Sequence, residues 1–146
     1  MSFDEQDKPC YAIIDSGATS LAGSSVVVNA LQNVVQSRLE RYHVDSSCVD
    51  VDDHKEDLSL TFDFGNGAQV ELAPRQFTRS VKIPRPRMTS RHDTQHCVPR
   101  IVSLNNLPHE YGNVFVLGAP IFQNYMVAFN VLHGKVGFGR HIFADD

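Results

Sequence analysis

Three features predict a mainly β domain with one or two short helices: apolar runs stopped by glycine, two turn-centred hairpins, and one stretch with helical periodicity. The chain has 146 residues, the size of one domain at ~100–200 residues each. With 42% hydrophobic and 21% charged residues, it can bury a single core and does not read as disordered. No segment approaches the ~18 consecutive apolar residues of a transmembrane helix. The start, Met1 to Pro9, is acidic, has no apolar stretch and reads as a loose lead-in rather than a secretory signal. A net charge of −4 argues against a general nucleic-acid binder, which is normally basic.

The elements follow in order. Tyr11-Ala-Ile-Ile14 is a short apolar run ending at Asp15 and broken by Ser16-Gly17, which predicts a buried strand delivering an acid into a tight turn. Gly23-Ser24-Ser25 then supplies an N-cap. Val27, Leu31, Val34, Val35 and Leu39 follow at helical spacing and predict a helix from Ser25 to Arg38. Leu58, Leu60, Phe62 and Phe64 alternate on one face, Gly65-Asn66-Gly67 turns the chain, and Ala68 to Leu72 alternates back: a β-hairpin. Phe77 to Ile83 and Cys97 to Val102 have strand character. The polar, proline-bearing segment from Pro84 to His92 between them reads as a surface loop. Val114 to Leu117 is a second apolar run stopped by Gly118, and a helical turn is expected at Pro120 to Asn124. Met126 to Val131, the His133-Gly134 turn and Lys135 to Phe138 make a closing hairpin.

Charge is unevenly spread. Residues 45–57 hold six acids and one lysine, and residues 75–100 hold seven basic residues and one acid, Asp93. Such blocks are read as solvated loops, the basic one around Arg79 to Arg91 facing the acidic one. His92 and His96 have a His-x3-His spacing beside Cys97, but a loop setting and the lack of a fourth ligand argue against zinc. No metal or cofactor is expected.

Asp15 is the residue that asks for an explanation. A carboxylate at the end of an apolar strand needs hydrogen bonds, and Ser16, Gly17 and Thr19 offer hydroxyl and amide donors. Asp-Ser-Gly alone fits a strand-ending Asx-turn equally well. The wider context, Ala12-Ile-Ile-Asp-Ser-Gly-Ala-Thr-Ser-Leu-Ala-Gly23 before a helix, resembles the second active-site segment of pepsin-like aspartic proteases. Val114-Phe-Val-Leu-Gly-Ala-Pro-Ile-Phe-Gln-Asn-Tyr-Met-Val-Ala-Phe-Asn130, then Lys135-Val-Gly-Phe138, is similar to that family's closing segment.

The resemblance implies a single lobe of the pepsin-like aspartic protease fold. It covers residues 10–146 as the C-terminal lobe, with the N-terminal lobe missing. Asp15 would be one of two catalytic aspartates, supported by the loop of Ser16, Gly17, Ala18 and Thr19. The strand Val116, Leu117 and Gly118 would run beside that loop. A disulfide between Cys48 and Cys97 is implied by the family's C-terminal lobe, while Cys10 resembles a cysteine whose partner would stand upstream, where this chain has Gln6.

Function follows from the same resemblance: an aspartic endopeptidase lobe acting on polypeptide substrates, inactive without its second lobe, with no nucleic-acid or membrane partner. Two departures matter. Ala18 stands where the family usually has a hydroxyl, and Ala119 stands where it mostly has Asp. Retroviral-type proteases, which are homodimers, carry Ala at the first of these positions. The alternatives are therefore a silent peptide-binding module and, less favoured, a homodimer. The family resemblance implies a secreted or lysosome-like acidic compartment.

Overall fold

Strand β1 (Cys10–Ile14) opens the computed structural model, which describes residues 10–83, 94–106 and 113–141. The lead-in at 1–9 and the expected loop at 84–92 lie outside the described residues. After β1 the chain turns through residues 15–20 into β2 (Leu21–Ser24), which runs directly into helix α1 (Ser25–Arg41). The helix extends three residues beyond the expected Arg38, and Ser24 occupies its N-cap position without a side-chain capping bond. Val27, Val28, Leu31, Val35 and Leu39 form its buried face. At about 1.5–3 kcal/mol per buried aliphatic side chain, this face offsets the weak helix propensity of the valines.

The acidic segment is more ordered than a solvated loop. A 3-10 turn (Val51–His54) leads into the one-turn helix α2 (Lys55–Leu58), because Val51 and Leu58 are fully buried and pull the segment onto the core. The acids between them face outward, so the charge pattern gave no sign of the two anchors. Cys48, just before this turn, is disulfide-bonded to Cys97. The Arg75 guanidinium pairs with Asp52 at 3.2 Å, joining the acidic segment to α3 (Pro74–Phe77).

The hairpin forms from β3 (Leu60–Asp63) and β4 (Gln69–Leu72) in the register Leu60↔Leu72 to Asp63↔Gln69. Leu58, expected on the first strand, is taken up by α2. Gly65, Asn66 and Gly67 all have positive φ, which is why two glycines and an asparagine make this turn. After α3, β5 (Thr78–Ile83) pairs antiparallel with β6 (Thr94–Pro99), and β7 (Ile101–Leu104) follows directly. The strand expected from Cys97 to Val102 is thus split at Arg100, which belongs to neither. Then come β8 (Asn113–Leu117), helix α4 (Ala119–Asn124), β9 (Tyr125–Asn130), a 3-10 turn at Val131–His133 and β10 (Lys135–Arg140).

The central sheet has the order β1-β8-β2-β7. β1 runs parallel to β8, and β2 antiparallel to it, so β8 separates two strands that are neighbours in sequence. The core lies between this sheet, α1 and the β3–β4 hairpin, with Phe62 meeting Phe115 edge-on. Gln32 on α1 donates to the Ile101 carbonyl at 2.7 Å, tying the helix to β7. The closing hairpin is anchored at its base. The Tyr125 hydroxyl accepts from the Glu71 amide at 2.9 Å, and Phe138 stacks on Phe64. Beyond that base the hairpin is exposed, reaching 89% and 94% at Val131 and Leu132. The molecule is a mainly β body with the architecture of a single pepsin-like lobe.

Candidate active site

The site begins where β1 ends. The Asp15 amide donates to the Leu117 carbonyl at 3.1 Å, so the parallel pairing of β1 with β8 continues to the acid itself. The chain then reverses: the Ala18 amide donates to the Asp15 carbonyl at 3.2 Å. Inside this turn the Gly17 amide donates to Asp15 Oδ1 at 2.8 Å. Among the described residues that is the one hydrogen bond the carboxylate accepts. Asp15, Ser16, Gly17 and Thr19 are exposed, and Ala18 is half-buried.

The loop is braced from the other side by the end of β8. The Ala119 amide donates to the Ala18 carbonyl at 2.7 Å. Gly118 comes closer still: a Cβ there would lie 2.4 Å from the Ala18 carbonyl oxygen and 2.6 Å from that of Ser20. Nothing larger than glycine fits between the two carbonyls. Leu117, fully buried, anchors the strand in the core, and Val116 is half-buried beside it. Ala18, Gly118 and Ala119, with the Ser20 carbonyl, therefore hold the turn that presents Asp15. The Ser20 carbonyl has no signature in the sequence, because any residue supplies one.

One expectation is corrected. β1 is not a buried strand: Tyr11 is 48% exposed and Ile13 49% exposed. It lies at the edge of the sheet and pairs with β8 alone, so one flank of the strand that carries Asp15 is uncovered by the described residues. An apolar run reads the same in sequence whether its cover belongs to the same body or to another one.

The other sequence candidates lie elsewhere. The Cys97 sulfur is committed to Cys48, which removes it from any metal set, and His92 lies outside the described residues. No group of three or more His, Cys, Asp or Glu side chains placed to hold a metal occurs among the described residues.

The brace of an Asp-Ser-Gly turn by an apolar strand ending in glycine joins the two segments whose sequences resemble the aspartic proteases. The family model described as eukaryotic aspartyl protease matches residues 2–141. The chain belongs to this family. No curated protein matches it. The described residues contain no helix long and apolar enough to cross a membrane.

Proposed function

We propose that this chain is the C-terminal lobe of a pepsin-like aspartic endopeptidase and that Asp15 is one of the two carboxylates of its catalytic pair. The observation that carries the reading is the placement of Asp15: an exposed carboxylate on a braced turn, at the end of an uncovered edge strand. Residues 10–146 make the lobe, and residues 1–9 are the lead-in to it.

The chemistry needs two acids. Carboxylates held close around one water cannot both ionise cheaply, so they share a proton. The ionised member takes a proton from the water as it attacks the scissile carbonyl, and the protonated member polarises that carbonyl. The chain has a single Asp-Ser/Thr-Gly, at Asp15, so the second acid comes from an N-terminal lobe of the same protease. That lobe covers the flank of β1 with Tyr11 and Ile13. Gly17 orients the Asp15 carboxylate through its amide, the Ser16 hydroxyl bridges to the partner lobe, and Thr19 completes the loop. Val116, Leu117 and Gly118 hold the loop in place. Substrates are polypeptides, no metal or cofactor takes part, and the compartment is secreted or lysosome-like and acidic.

The test is cleavage of a broad peptide library at acid pH by the chain alone and by the chain joined to an N-terminal lobe of a pepsin-like protease, each with and without a statine-type inhibitor. The chain alone is expected to be inactive and the two-lobed protein active and inhibitor-sensitive. Inhibitor-sensitive cleavage by the chain alone, rising steeply with its concentration, would replace this reading with a homodimer that pairs Asp15 with its own copy. A two-lobed protein that binds the inhibitor or peptides without cleaving them would replace it with a silent peptide-binding module. Ala18, lacking the usual hydroxyl beside the carboxylate, is the feature that favours either replacement.

A further inference from the structure

We draw no further inference here: the strongest candidate, the exposed apolar side chains of the β9–β10 hairpin (Met126, Phe129, Val131, Leu132 and Val136), carries nothing because nothing in the structure shows what covers them.

Discussion

Replacing Gly118 by alanine tests the geometry on which the active-site reading rests. The new Cβ would meet two backbone carbonyl oxygens at 2.4 and 2.6 Å, those of Ala18 and Ser20. Favourable non-bonded contacts begin near ~3.5 Å, so the overlap is roughly an ångström. Neither oxygen belongs to a side chain that can rotate away. Relief requires β8 or the 15–20 loop to move. A move of that size breaks the bonds from the Ala119 amide to the Ala18 carbonyl and from the Asp15 amide to the Leu117 carbonyl. Overpacking costs roughly 1–3 kcal/mol and each of the two lost bonds about 0.5–1.5 kcal/mol, which together give roughly 2–6 kcal/mol. At about 2–4 °C per kcal/mol for a chain of this size, the melting temperature falls by roughly 4–24 °C. Gly137→Ala is the control: it lies on exposed β10, and a Cβ there would meet nothing within 4 Å. It should stay within about 0.5 kcal/mol of the parent. Thermal unfolding of the three proteins by circular dichroism decides the matter. If Gly118→Ala melts together with Gly137→Ala, β8 does not press on the Asp15 loop and the brace is refuted.

Further outcomes follow from other parts of the molecule. Asp15→Asn should leave the melting temperature of the chain within about 2 °C, because an exposed amide can still accept from Gly17, while abolishing cleavage by the two-lobed protein; retained cleavage would remove Asp15 from the catalytic pair. Reduction, or the double change Cys48→Ser and Cys97→Ser, opens a loop of sequence separation 49 and should cost about 4 kcal/mol in the chain-entropy model; urea unfolding at matched pH measures it, and unchanged midpoints would refute it. Leu117→Ala, at a fully buried position, should lose about 2–5 kcal/mol by the same assay, and a loss under ~1 kcal/mol would contradict the packing. Among the described residues, two carboxyls contribute to acid sensitivity. The Gln69 side chain and then the Gly65 amide hold the Asp63 carboxyl below its ordinary pKa, and the Ser47 hydroxyl and then its amide do the same for Asp45. A carboxyl with a depressed folded pKa contributes stability above its unfolded pKa and loses it as pH falls through the folded one. Stability should therefore decline from about pH 4 downward, and Asp63→Asn should flatten that decline; parallel curves of urea midpoint against pH for the two proteins would refute the assignment.

Much of this protein is written in rules that act over a few residues. The β3–β4 hairpin follows from strict alternation around Gly65-Asn66-Gly67, and α1 from valines and leucines at helical spacing ahead of Arg38. The site is legible for a different reason: Asp15-Ser-Gly and Val116-Leu-Gly118 are short motifs, and their resemblance to one family singles out both in the linear chain. Tertiary structure decided what joins them. Ile13 and Val116 are register partners from opposite ends of the sequence, and no local preference inserts β8 between β1 and β2. That arrangement is selected by burial of Leu117 and by the fit of Gly118 against two carbonyls, both properties of the assembled body. The acidic segment shows the same limit. Its charges announce solvent, yet Val51 and Leu58 fold it into helical turns once a core exists to receive them. β1 shows the limit most sharply: its apolar run reads as buried, and only the three-dimensional sheet shows it as an edge strand with Tyr11 and Ile13 about half exposed, because hydrophobicity favours burial without specifying where along the sheet a strand will lie.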